Sequence, residues 1–143
     1  MDVKNKRVVV TGAASGIGKA LCEAFHEADA QSIVAVDMNL DGAQETADSV
    51  NGIAVQANVG NEKDIINVIQ KADEHAGGTD IFCSNAGIGG VPGFFEVEAS
   101  DWQNIWDVNV QSHIFAAKHV LPQMIERGEG YLVNTSSAAG LLT

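Results

Sequence analysis

Hydrophobic positions along the chain alternate between two rhythms. Val8-Val9-Val10 is a continuous β-branched run from Arg7 that stops at Thr11-Gly12, the pattern of a strand buried on both faces of a parallel sheet. From Gly16 the period lengthens. Ile17, Ala20, Leu21, Ala24 and Ala28 follow helical spacing, so an amphipathic helix begins directly after a glycine-rich turn. The alternation then repeats. Ser32 to Val36 predicts a second strand ending at Asp37, and Ala43, Thr46, Ala47 and Val50 mark a second helix. Gly52 to Gln56 predicts a third strand, and Ile65, Val68, Ile69, Ala72 and Ala76 mark a third helix closed by Gly77-Gly78. Asp80 to Cys83 predicts a fourth strand, followed by the glycine-rich stretch Asn85 to Gly93. Ser100 is expected to cap a long helical region reaching about Arg127, and Tyr131 to Val133 begins a fifth strand.

No two of these strands are joined by a hairpin-length turn. Strands that alternate with helices imply βαβ units, hence a parallel sheet with helices on both faces. The expected architecture is a Rossmann-type, doubly wound α/β fold with strand order 3-2-1-4-5, as one domain over residues 1–143.

Composition narrows the function. Eight Lys and Arg against nineteen Asp and Glu give a formal charge of −11, which repels phosphate backbones and argues against a nucleic-acid partner. Two cysteines, Cys22 and Cys83, lack C-x-x-C spacing and cannot build a disulfide framework, in keeping with a reducing cytoplasm. No apolar run approaches the ~18 residues of a membrane span, and the N-terminus runs straight into a strand pattern, so neither a membrane anchor nor a signal peptide is expected. No cluster with metal-ligand spacing occurs, so no metal site is expected.

The chemistry concentrates in the first βα turn, Thr11-Gly12-Ala13-Ala14-Ser15-Gly16-Ile17-Gly18. Glycines there allow a tight turn, close approach to a pyrophosphate, and helix N–H groups facing the phosphates. The spacing is G-x-x-x-G-x-G rather than the general G-x-G-x-x-G, and by itself an ordinary strand-to-helix turn explains it equally well. Asp37 tips the balance. At the end of the second strand, a carboxylate can accept from both hydroxyls of an adenosine ribose and would repel a 2′-phosphate. No Arg or Lys occupies Ala13 to Ser15 or Met38, so NAD (NADH) is expected over the phosphorylated dinucleotide.

With these residues the sequence resembles the short-chain dehydrogenase/reductase family, over essentially the whole chain. The T-G-x-x-x-G-I-G turn has the family's form, and three more motifs follow in order: Asn85-Ala86-Gly87, Asn109 within the long helix, and Asn134-Thr135-Ser136-Ser137-Ala138-Ala139-Gly140 after the fifth strand. The stretch Lys118 to Met124 is similar to the family's helix. The resemblance implies cofactor contacts from Gly12, Ser15, Gly16, Ile17 and Gly18, from Asp37, from Asn58 and Val59, and from Asn85, Ala86 and Gly87. It implies that Asn109 is the tetrad Asn holding a water in a proton relay, and that Ser137 is the serine that hydrogen-bonds the substrate oxygen. Ser136 is its alternative, because neighbouring strand residues point opposite ways.

The residues also speak for themselves. Trp102, Ile105 and Trp106 are expected to define an inward helix face on which Asn109 falls, so Asn109 is either a capped packing residue or a site residue. His113, one turn later, is read as a satisfied core or interface histidine. Phe94 and Phe95 border the expected mouth of the site, as a substrate wall or as local packing.

Three features depart from the family pattern. Asn58 stands where the family has Asp at the adenine edge, though its carbonyl oxygen can still accept from an adenine amino group. Ser112 replaces a common Gly. The Y-x-x-x-K pair that moves the proton would come beyond Thr143, as would the last strands; Tyr131 precedes the serine motif and cannot replace it. The expectation is the N-terminal part of an NAD-dependent oxidoreductase that transfers hydride between nicotinamide and an alcohol or ketone, a homotetramer or homodimer when complete. The alternatives are a non-catalytic dinucleotide-binding fragment and a related Rossmann epimerase.

Overall fold

In the computed structural model, which describes residues 2–89, 93 and 95–140, five strands and their connecting helices follow the expected alternation. The elements are β1 (Arg7–Thr11), α1 (Gly16–Glu27), β2 (Ser32–Asp37), α2 (Leu40–Ser49), β3 (Ile53–Gln56), α3 (Glu62–Ala76), β4 (Ile81–Ser84), α4 (Ala99–Trp106), a π-helical segment (Asp107–Gln111), α5 (Ser112–Arg127), β5 (Tyr131–Asn134) and a closing 3₁₀ turn (Ala138–Gly140). All pairings are parallel, in the order β3-β2-β1-β4-β5. The doubly wound Rossmann sheet expected from the alternation is the fold observed.

The strands sort their side chains by parity. Val9, Val34, Val36 and Val55 join Ile65, Val68, Ala72, Val120 and Met124 in one core beneath α3 and α5. Val8, Val10, Ile33 and Ala35 join Cys22, Ala47 and Val50 in a second core beneath α1 and α2. Burial on both faces explains why these strands read as unbroken apolar runs. Phe82, fully buried at the centre, is worth about 3–5 kcal/mol against truncation to Ala. Both cysteines are buried and unpaired, and burial pushes each thiol up to about 12.

Two expectations about the long helical region need correction. Ser100 is not its cap: the helix starts one residue before it, Glu98 is the capping residue, and the Glu98 N–H donates to the Asp101 carboxylate at 2.9 Å. Nor do Trp102 and Trp106 face inward, since both are more than half exposed and α4 buries no residue. The expectation assumed one uninterrupted helical period. The π segment inserts a phase break, and the buried stripe beyond it runs Val108, Ser112, Ala116, Val120, Met124, out of register with the tryptophans. Two boundaries also shift by a residue: β4 starts at Ile81, leaving Asp80 outside the strand, and Gly52 precedes β3. Phe94 lies outside the described residues, and Phe95 is exposed.

Candidate functional site

The carboxyl ends of β1, β2, β3 and β4 point the same way, and the loops that leave them form one cleft. In the first turn, a Cβ on Gly18 would lie 2.0 Å from the Gly12 carbonyl oxygen, so the α1 terminus packs against the turn at a distance only glycine permits. Gly16, at φ +53°, has no atom of the described residues within 4 Å of where its Cβ would stand. The turn is therefore shut on the Gly18 side and open on the Gly16 side. Ser15 caps α1 with extended backbone and no side-chain bond, and the first turn carries no acidic residue, so the positive end of the helix is left for an anion. These features fit a pyrophosphate.

Asp37 ends β2 beside this turn. One carboxylate oxygen accepts from the Ala14 N–H and the other from the Asn39 N–H, each at 3.0 Å. Both oxygens are thus oriented while retaining lone pairs for further donors. Next to them an apolar slot is walled by Ala57, Val59, Ala86, Ile88 and Val108, with Gly12, Met38, Asn58 and Gly87 at its rim. That slot suits a flat, uncharged ring. Asn58 is tied on both sides: its Oδ1 accepts from the Gly60 N–H at 3.0 Å, and its own N–H donates to Asp64 at 2.9 Å.

Thr11 and Asn85 hold the middle of the cleft. The Thr11 hydroxyl donates to the Cys83 carbonyl at 3.2 Å and accepts from the Asn85 and Ala86 N–H groups at 3.0 and 3.1 Å. The Asn85 amide donates to the Thr11 carbonyl, and its oxygen accepts from the Thr135 hydroxyl, both at 3.0 Å. Asn85 therefore links β1 and β4 to the loop after β5.

The π segment supplies the outer end. Asn109 accepts from the Ile88 N–H and donates to the Ile88 carbonyl, both at 2.8 Å. Its amide is satisfied by one residue of the loop after β4, which supplies the partners a half-buried Asn requires. Ser112 is buried, and its hydroxyl donates to the Val108 carbonyl at 2.6 Å, inside the segment where helical bonding changes register. Asn109, His113, Asn134, Ser136 and Ser137 line the same cavity as Ile17 and Asn85. Burial lowers the His113 pKa below the usual imidazole value, against a hydrogen bond with Asn134 that raises it. His113 is thus half-buried at the cleft rather than in the core.

Each residue to which the resemblance gives a cofactor or catalytic role lines this set of adjoining cavities, whereas Phe95 does not. Gly12, Asp37, Asn58 and Val59 border the apolar slot; Ser15, Gly16, Ile17 and Gly18 border the middle with Asn85, Ala86 and Gly87; Asn109 and Ser137 border the outer end. Both Ser136 and Ser137 reach that end. Sequence reasoning missed Thr11 as a hydrogen-bond hub, Ile88 as the partner of Asn109, and Ala57 and Val108 as slot walls. Small apolar and β-branched residues carry no local signal of such roles. Among the described residues no cluster of His, Cys, Asp or Glu could hold a metal ion, and no helix is long and apolar enough to cross a membrane.

Comparison with known proteins gives a consistent result. A family model described as short chain dehydrogenase matches residues 6–143. The chain is 34% identical over 143 residues to glucose 1-dehydrogenase 2 of Bacillus subtilis (strain 168), covering 95% of this chain and 55% of the relative. It is 33% identical over 141 residues to an uncharacterized oxidoreductase of Staphylococcus aureus (strain MRSA252), covering 95% of this chain and 60% of that protein. A crystal structure of a short-chain type dehydrogenase/reductase from Mycobacterium marinum superposes with a TM-score of 0.90 at 28% identity, covering 99% of this chain and 59% of the other. The chain thus spans a little over half the length of these relatives. On its motifs, its sheet order and this match, the chain belongs to the short-chain dehydrogenase/reductase family.

Proposed function

We propose that residues 1–143 form the dinucleotide-binding domain of an NAD-dependent oxidoreductase acting on a small alcohol or ketone. The observation that carries this reading is the Asp37 carboxylate, oriented by two backbone N–H groups beside an apolar slot whose lining contains no Lys or Arg. Ribose hydroxyls donate to such a group, whereas a 2′-phosphate meets a like charge with no cation to offset it. Bound nicotinamide supplies a carbon that accepts or returns hydride.

The chain's own residues do the rest. The open side of the Gly16 turn receives the pyrophosphate, with Ser15, Ile17 and Gly18 around it, and Asn58 and Val59 border the base. Asn85, Ala86 and Gly87 keep the middle of the cleft narrow. Ser137 hydrogen-bonds the substrate oxygen. Asn109, its side chain spent on Ile88, serves a proton relay through its backbone and by fixing the loop after β4. In this reading the proton-transfer group belongs to the part of the family fold that this chain does not span.

The proposal extends to assembly and location. Trp102, Trp106, Val110 and Ile114 leave an exposed apolar stripe along α4, the π segment and the start of α5, suited to a second copy. Two buried, unpaired thiols suit a reducing cytoplasm.

Calorimetric titration with NADH and NADPH tests the central claim. NADH should bind tighter by roughly ten- to a hundredfold, on the order of 1–3 kcal/mol, and Asp37→Ala should narrow the gap. Equal affinities, or a preference for NADPH, overturn the assignment. In a protein of the relatives' full length, Ser137→Ala should remove most turnover while leaving NADH affinity nearly unchanged.

A further inference from the structure

We propose that Thr46, on α2 and outside the lining of the cleft, is a positioning residue that sets the Asp37 carboxylate through a single peptide plane, and so contributes to the choice between dinucleotides. The inference rests on the assignment of Asp37 to the ribose. Thr46 is fully buried, and its hydroxyl donates to the Ala13 carbonyl at 2.8 Å, across thirty-three residues of sequence. The Gly42 carbonyl, one turn back on α2, lies at 3.2 Å. A hydroxyl has one proton, and the shorter contact goes to Ala13.

The two ends of one peptide group then explain the arrangement. In a trans peptide the C=O and the following N–H point in opposite directions. Thr46 holds the Ala13 carbonyl on the α2 side, so the Ala14 N–H is turned the other way, where it donates to Asp37 Oδ2 at 3.0 Å. The Ala13 N–H is fixed as well, by the Val36 carbonyl at 3.0 Å. α2 lies close against this turn, since a Cβ on Gly42 would stand 2.8 Å from the Ala14 Cβ, and the Thr46 hydroxyl is the polar contact that sets the peptide tilt there. With the hydroxyl removed, the Ala13–Ala14 plane loses the contact that fixes its tilt, and one of the two N–H groups orienting Asp37 is released.

The test is the ratio of NADH to NADPH affinity in the purified protein, measured for Thr46→Val, Thr46→Ser and both again on an Asp37→Ala background. Thr46→Val should narrow the ratio about three- to tenfold, the effect of one hydrogen bond, and Thr46→Ser should retain the parent ratio. On the Asp37→Ala background, Thr46→Val should leave the ratio where Asp37→Ala put it. A merely structural role lowers both affinities together and leaves the ratio unmoved; that result overturns the inference. Should Thr46→Val fail to fold, Thr46→Ala removes the hydroxyl without a new methyl group, and faster exchange of the Ala14 amide gives a second readout. Unchanged Ala14 exchange overturns the inference. A parent protein that binds neither nucleotide overturns both the Asp37 assignment and this one. A parent that discriminates while Thr46→Val keeps its ratio overturns this one alone.

Discussion

Arg7 and Asp80 meet as a two-pronged pair at the end of the sheet opposite the cleft. Arg7 Nε and Nη2 donate to the two carboxylate oxygens at 2.8 and 2.5 Å, and the Arg7 backbone N–H adds a third bond at 3.0 Å. Arg127 approaches the same carboxylate at 3.5 Å and donates to the Thr79 carbonyl, tying α5 to the start of β4. The pair lies where β1 and β4 enter the sheet.

Acid should weaken this tie in a defined direction. The Arg7 hydrogen bonds hold the Asp80 carboxyl below the usual carboxylate range, against a desolvation that raises it. A carboxyl depressed in the folded state stabilises fully above its unfolded value, about 3.9, and loses that contribution as pH falls through its folded value. Asp80→Ala should cost about 1–3 kcal/mol at neutral pH, because it removes three hydrogen bonds from a half-buried Arg7 whose side chain keeps only the Gly77 carbonyl as partner among the described residues. Urea unfolding from neutral pH downward checks it. The gap between parent and variant should hold steady above about pH 5 and shrink below about pH 4; a gap independent of pH would show that the charge is not responsible.

Thr79 offers the opposite case beside it. Its hydroxyl is buried and has no hydrogen-bond partner among the described residues, while its backbone groups are paired with Gln123 and Arg127. Thr79→Val keeps the shape and removes an unsatisfied polar atom, so it should stabilise by about 1 kcal/mol or more. A rise in the urea midpoint with unchanged slope is the expected result, and a fall would reveal a partner for the hydroxyl in solution.

The two glycines of the turn should fail in different ways. A methyl group on Gly18 collides with the Gly12 carbonyl, so Gly18→Ala should lower both stability and nucleotide binding. Gly16 has room for a side chain, and only its positive φ resists, at roughly 1–2 kcal/mol. Gly16→Val should therefore keep most of its far-UV circular dichroism and lose NADH binding, because the side chain fills the open side of the turn. Equal binding by Gly16→Val and the parent would remove the phosphate from this position.

Removing the Asn109 amide should free the loop after β4. Asn109→Leu gives up both bonds to Ile88, an exposed residue whose peptide water can then solvate, at a cost of about 1–2 kcal/mol. Asn109→Asp should cost more, because a carboxylate would face the Ile88 carbonyl. Hydrogen exchange at Ile88 is the direct measure and should quicken by about tenfold or more, following that free energy. Unaltered exchange would mean that the loop is held elsewhere.

Much of this molecule was legible in one dimension. The alternation of β-branched runs with 3.6-period segments led to the parallel sheet and its order, because strands covered on both faces must be continuously apolar and parallel strands need helical crossovers. Gly12, Gly16 and Gly18 with Asp37 were legible because the turn and the strand end are local features whose residue types are restricted by backbone geometry and charge. What the sequence could not supply lies between residues far apart along the chain. A single helical period extended through Asn109 predicts Trp102 and Trp106 inward; only the folded chain shows the π segment that breaks the period and leaves both exposed. The partnerships of Asn109 with Ile88, Thr46 with Ala13, and Arg7 with Asp80 were invisible for the same reason. A hydrogen-bonding side chain declares its capacity in the sequence, but its partner is chosen by which strands and helices the tertiary structure brings within 3 Å.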